Sequence, residues 1–228
     1  MKDPCYIFCH GWGFDASFWN NLKPFFPDQN CFFLDQGYFS TPYLDLPDFK
    51  DHPIIGVGHS LGLAKLLELP IKFTALVGIQ SFINFIGYSE KLAHRRSLEL
   101  QAMIQFFKKN PEKTLLSFYE KCGASCDLEK FKMSNFERLL NDLESLKLDY
   151  SLPTCPILIL GAKNDVIVSP ELLLDNFEGK KNVTLIFHEQ GFHNLGNLEP
   201  EFVYCSTKNF SKIAFKGELW ATTSNACL

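Results

Sequence analysis

The stretch that decides the fold is "IIGVGHSLGLAKLLELP", residues 54–70. An apolar, β-branched run stops at His59-Ser60, and leucines then recur at helical spacing until Pro70. The pattern predicts a buried strand that turns directly into a helix. Ser60 stands at the corner, with Gly58 two residues before it and Gly62 two residues after. In so sharp a bend a side chain at either flank would run into the neighbouring strand or helix, and glycine removes that obstacle. The Ser60 hydroxyl is then expected in a strained, exposed position at the carboxyl edge of the sheet, beside the backbone N–H groups of the helix start. A Gly/Ser turn without chemistry satisfies the same five residues, so the rest of the chain has to decide.

Apolar runs of the same kind recur at 5–11, 31–36, 53–60, 73–81, 156–165 and 182–190. Separated by helical patterns, they predict a mostly parallel central sheet with helices on both faces. Sites in such sheets lie at the carboxyl ends of the strands. Between Gln80 and Pro153 the period changes: "EKLAHRRSLELQAMIQFFKKN", "PEKTLLSFYEKCG" and "LEKFKMSNFERLLNDLESLKL" carry charges on one face and Leu, Phe or Met on the other. That periodicity predicts helices. The expected organisation is an α/β core formed by 1–85 and 151–228, with a helical lid insertion over 86–150. No internal repeat is present, and the tail after about Asn209 is weakly patterned.

The 228 residues suit one α/β domain carrying an insertion. A net charge of −4 argues against a nucleic-acid partner held by a basic surface. The 23 phenylalanines suggest a bulky core and an apolar cavity. The eight cysteines, at 5, 9, 31, 122, 126, 155, 205 and 227, form no CxxC pair and no zinc-type spacing with histidine. The N-terminal "MKDPCYIFCHGW" lacks the apolar core of a secretory signal, and no segment has about 18 consecutive apolar residues. We therefore expect a thiol-reduced, cytoplasmic monomer that needs no metal or organic cofactor and does not engage a membrane.

A nucleophilic serine needs a base, because its hydroxyl is barely ionised near neutral pH, and the base needs a third group to orient it. His193 stands in "EQGFHNLG", just beyond the last strand-like run, and Asp165 in "LILGAKNDVIVSP", just beyond the one before it. Both are strand carboxyl ends on the edge that carries Ser60. His188 is the rival base, but it lies inside a strand-like run that would fix its direction. Asp142 and Asp149 are rival acids, but they belong to the helical insertion or its exit. The order Ser60, Asp165, His193 is that of only one of the common triad scaffolds. A cradle for negative charge is expected from "FCHGWGFDASFW", where a Gly-x-Gly turn follows a strand. The N–H of Trp12 and the N–H of Leu61 are the expected oxyanion donors. His10 is assigned to orienting that turn, and the Trp12 side chain, between two glycines, is expected to face the surface.

"HGWG", "DQGYFS", "GHSLG", "GAKNDVIVSP" and "GFHNLGNLEPEF" together resemble the α/β-hydrolase family over about residues 5–202. "HGWGFDASFW" and "FFKKNPEKTLLSFYEKCG" are in particular similar to the carboxylesterases that cleave the methyl ester of pimeloyl-acyl-carrier protein in biotin synthesis. The resemblance implies the α/β-hydrolase fold and an acyl-enzyme mechanism on an ester carried by acyl-carrier protein. It matches the basic residues used against that carrier only loosely, to Arg95, Arg96, Lys108, Lys109 and Arg138. Residues 88–150 hold eleven Lys or Arg against ten Asp or Glu, so docking would need clustering rather than excess charge. The chain departs from the family in beginning at what would be its third strand and in having Leu63 where a second glycine is common. An acyl thioesterase, a general short-chain esterase and a ligand receptor that keeps the fold all satisfy the same motifs.

Overall fold

Unbroken apolar runs, not alternating ones, form the strands of the computed structural model, whose description covers residues 2–27, 30–125 and 127–214. The strands are β1 (Cys5–Cys9), β2 (Cys31–Leu34), β3 (Ile54–His59), β4 (Ala75–Ile79), β5 (Ile157–Ala162) and β6 (Val183–His188). They pair in the order β2-β1-β3-β4-β5-β6, every pair parallel. All residues of β1, β4 and β5 are buried, which requires cover on both faces, whereas the edge strand β6 is half-buried throughout. β1 and β3 are neighbours, with β2 on the far side of β1, so the chain reverses its direction of travel across the sheet there. The crevice beyond the carboxyl ends of β1 and β3 is the topological switch point, where open α/β sheets place their ligands.

Helix α1 (Leu61–Leu67) leaves β3 and ends before Pro70. Between β4 and β5 the chain forms α2 (Glu90–Lys109), α3 (Pro111–Cys122), α4 (Leu128–Phe131) and α5 (Phe136–Ser145). Pro111 opens α3, where its missing N–H costs nothing, and Gly123 closes it in the left-handed region at φ 66°. The last of the three helical patterns is broken in two, because Asn135 restarts the helix by accepting the Arg138 N–H at 3.0 Å. Where this segment leaves and rejoins the core, the Tyr150 N–H donates to the Ile83 carbonyl at 2.9 Å. Helices α6 (Pro170–Phe177), α7 (Leu195–Leu198) and α8 (Pro200–Ala214) complete the described chain. Helix α8 carries regular structure five residues beyond Asn209; residues 215–228, which the expected core included, lie outside the described residues. Among those described, no helix is long and apolar enough to cross a membrane.

Candidate active site

Ser60 sits at φ 53° and ψ −122°, a backbone conformation that side chains rarely adopt. Its flanking glycines explain how the corner closes. A Cβ at Gly58 would lie 2.4 Å from the Leu63 nitrogen, and one at Gly62 would lie 2.0 Å from the Cys9 carbonyl oxygen. The bend carries the Ser60 side chain over the carboxyl end of β1, although the residue is only 6% exposed. Its hydroxyl faces a cavity and not the outer surface that its strained corner suggested.

The loops after β5 and β6 bring the expected partners to it. His193 Nε2 lies 2.9 Å from Ser60 Oγ, and His193 Nδ1 lies 2.7 Å from Asp165 Oδ2. With Nδ1–H donated to the carboxylate, Nε2 is left to accept the Ser60 hydroxyl proton. The other oxygen of Asp165, Oδ1, accepts the N–H groups of Ile167 at 2.8 Å and Val168 at 2.9 Å. These bonds fix the carboxylate plane, and both His193 and Asp165 are buried.

A residue that the sequence motifs did not single out holds this arrangement together. Gln80, the first residue after β4, is fully buried at φ 50°. Its Nε2 donates to Asp165 Oδ2 at 2.7 Å and to the Phe192 carbonyl, while its Oε1 accepts the Leu195 N–H at 2.8 Å. One amide thus ties the acid to both sides of the His193 loop. The available signal was a polar residue ending the apolar run "ALVGIQ" on the same sheet edge. Of the four non-glycine residues described with positive φ, Ser60, Gln80 and Phe192 belong to this cluster, as expected where strain is held by a surrounding network. Gln80→Leu is expected to slow the reaction of Ser60 with a serine-directed fluorophosphonate by about 10- to 100-fold, because the amide positions Asp165 and the His193 loop against Ser60. Labelling rates check this, and an unchanged rate would remove Gln80 from the site.

His59 lies beneath the cluster, stacked on Phe18 with ring centroids 4.1 Å apart and 4.8 Å from the His193 ring. Complete burial holds its pKa well below the ordinary 6.5, so the ring is neutral in the folded protein. In the unfolded chain the same group protonates as pH falls through about 6.5. The unfolded state then binds the extra proton, and stability falls as pH drops below that value by about 1.4 kcal/mol per pH unit. In thermal melts between pH 7.5 and 5 the parent chain should therefore lose stability relative to His59→Leu toward acid pH; parallel curves would contradict this assignment.

At the end of β1, neither the Trp12 N–H nor the Leu61 N–H is donated to a protein acceptor among the described residues. His10 supports this turn: its Nε2 accepts the Gln36 N–H at 3.0 Å, and its Nδ1 lies 3.0 Å from the Gly11 carbonyl. The Trp12 side chain, expected at the surface, is instead 3% exposed. Its indole packs edge-on against Phe107 and Phe118 and donates to the Leu139 carbonyl at 2.7 Å. The helical segment covers it, which the local Gly-x-Gly pattern does not encode.

No family model and no curated protein matches the chain. Among solved structures it is similar to a lipase-esterase related protein from Clostridium acetobutylicum, at 19% identity and TM-score 0.67, covering 92% of this chain and 95% of that one. An esterase from Exiguobacterium antarcticum aligns at 13% identity and TM-score 0.70, covering 92% of each chain. A hydrolase from Oleispira antarctica aligns at 17% identity and TM-score 0.70, over 93% of this chain and 92% of that one. The chain has the α/β-hydrolase fold.

Within that fold the rival residues fall elsewhere. His188 turns its Nδ1 to the Gln190 carbonyl at 2.7 Å and packs on Phe202. Asp142 pairs with Lys65 at 2.6 Å, and Asp149 accepts the Tyr88 hydroxyl at 2.7 Å. A cavity of about 560 Å³ opens above Ser60, Trp12 and Leu61, walled by Phe82, Phe85, Met103, Phe118 and Leu143 among others. The five basic residues considered for carrier contact are not all exposed. Arg96 has to be removed from any exposed patch: it is 6% exposed and lines the cavity, donating from Nε to the Phe85 carbonyl at 2.9 Å and from Nη2 to the Ile167 carbonyl at 2.8 Å. Arg95 pairs with Glu171 at 2.6 Å and Lys108 with Glu144 at 2.7 Å. Lys109 is exposed at the end of α2, and Arg138 is half-buried on α5.

Proposed function

We propose that the chain is a serine hydrolase of carboxylic esters, in which Ser60, His193 and Asp165 act as nucleophile, base and orienting acid. The observation that carries this is the continuous hydrogen-bonded line from Ser60 Oγ through His193 to Asp165, at 2.9 and 2.7 Å, at the foot of an apolar cavity. His193 Nε2 takes the hydroxyl proton as Ser60 Oγ attacks the ester carbonyl carbon. The negative charge that develops on the carbonyl oxygen is met by the Trp12 and Leu61 N–H groups. The alcohol leaves with the proton from His193, and water repeats the sequence on the acyl-enzyme, returning acid and free Ser60.

The finer reading is that the ester is the methyl ester of pimeloyl-acyl-carrier protein and the leaving alcohol methanol. The "HGWGFDASFW" resemblance and the apolar cavity support it. Of the basic groups named, Lys109 is exposed and has no ion pair among the described residues, which leaves it free to meet an acidic carrier. A fluorophosphonate probe tests the chemistry: labelling of Ser60 in the parent chain but not in Ser60→Ala supports the hydrolase, and no labelling favours a ligand receptor. Growth without biotin of a strain lacking its own esterase, restored by the parent chain and not by Ser60→Ala, supports the pathway. Esterase activity without such rescue leaves a general esterase.

A further inference from the structure

We propose that Arg96 reads the far end of the substrate: its guanidinium, set in the cavity wall, binds an oxygen acceptor on the acyl chain, a carboxylate in preference to a neutral carbonyl. This rests on the ester-hydrolase reading of Ser60. The starting observation is a buried cation that no described carboxylate contacts, although Glu99, the buried Asp165 and Glu171 act on it from further off. Arg96 is 6% exposed, yet no carboxylate among the described residues lies within ion-pairing distance of it. Glu99, one turn further along α2, faces Arg95 at 4.0 Å instead. Burying a charge without a contacting counter-ion is costly, and a bound anion would offset that cost.

The guanidinium is also held in a fixed plane. Two backbone carbonyls, of Phe85 and Ile167, take one donor each from Nε and Nη2, and the Phe85 ring lies 4.1 Å from the guanidinium carbon. Of its five N–H donors, those on Nη1 reach no protein acceptor among the described residues. Arg96 lines the same cavity as Ser60, whose walls are otherwise mainly apolar. The other charged groups lining it, Glu99 and Lys121, are exposed and of opposite sign, so among the described lining residues Arg96 supplies the buried charge. Burial also weakens the hold of the guanidinium on its proton, an imbalance that a bound anion would relieve. A planar donor fork oriented before binding suits a carboxylate, and at lower strength an ester or thioester carbonyl. An arginine serving only to anchor α2 would leave acyl-chain preference unaffected, which separates the two roles.

The test uses the full chain and methyl esters of about five to eight carbons, the range an apolar cavity of this size accommodates, in matched sets ending in a methyl group, a second methyl ester or a free carboxylate. Expected is a kcat/KM at least about tenfold higher for the carboxylate-ended ester than for its alkyl counterpart, with the diester between them, as a charge-assisted hydrogen bond gives. In Arg96→Met the three should fall within about threefold of one another while the alkyl ester is still hydrolysed; Arg96→Lys, which keeps the charge without the fork, should retain part of the preference. The parent series decides even if Arg96→Met does not fold: equal rates across the set overturn the proposal, as does an unaltered preference in a folded Arg96→Met. Equal rates leave the esterase standing, whereas no hydrolysis of any ester and no labelling of Ser60 overturn both.

Discussion

Ser60→Gly is expected to melt higher than the parent chain while its ester hydrolysis falls by about 10⁴- to 10⁶-fold. The two effects have one origin. In the proposed mechanism the hydroxyl is the group that attacks, so its loss leaves only whatever the proposed oxyanion donors and the cavity contribute. The backbone at φ 53° and ψ −122° is one that a side chain occupies only under constraint, at about 1–3 kcal/mol. Glycine adopts it freely but gives back about 0.5–1 kcal/mol through the flexibility of the unfolded chain. A net gain of about 1 kcal/mol corresponds to about 2–4 °C in Tm for a chain of this length. Ser60→Ala is the matching control: equally inactive, but with its Cβ and hence the strain retained. Calorimetry of the three proteins decides, and a Ser60→Gly that melts below Ser60→Ala would show that the corner stores no strain.

Gly62→Ala is expected to destabilise the fold by more than about 4 kcal/mol, or to prevent folding, a magnitude reserved for changes the structure cannot absorb. An added Cβ would lie 2.0 Å from the Cys9 carbonyl oxygen and 2.7 Å from its carbonyl carbon. Those atoms are β1 backbone, buried and paired into the sheet, so they cannot swing aside as a side-chain tip would. Gly179→Ala supplies the contrast. Its φ of 76° penalises alanine by about 1–2 kcal/mol, but nothing lies within 4 Å of the added carbon. Urea melts of the two variants should therefore differ severalfold in lost stability; similar losses would mean that α1 can move away from β1.

Much of this was legible because it is written in neighbouring residues. Each of the six strands lies within an apolar run marked from the sequence, and the corner at Ser60 follows from glycines two residues to either side. That Asp165 and His193 stand near Ser60 is legible from position, each lying just beyond a strand on the same edge. Gln80 escaped the same logic because its role lies in partners 85 and 115 residues away, which no local pattern announces. Trp12 was misplaced because the Gly-x-Gly turn is exposed only until the helical segment closes over it, with Leu139 accepting the indole N–H from 127 residues away. Arg96 misled for the same reason: beside Arg95 in "HRR" it resembles a solvated helix face, yet one helical step of rotation turns it inward.

By itself the sequence determined the elements and their order, since apolar periodicity and glycine placement act over distances of a few residues. It also determined which chemical groups stand at strand ends. Only the tertiary structure decided which of those groups meet, which face of α2 is buried, and which amide locks Asp165 to the His193 loop. Those outcomes depend on packing between segments far apart in the chain, where a hydrogen bond or a buried charge is specified by three-dimensional approach and leaves no periodic trace.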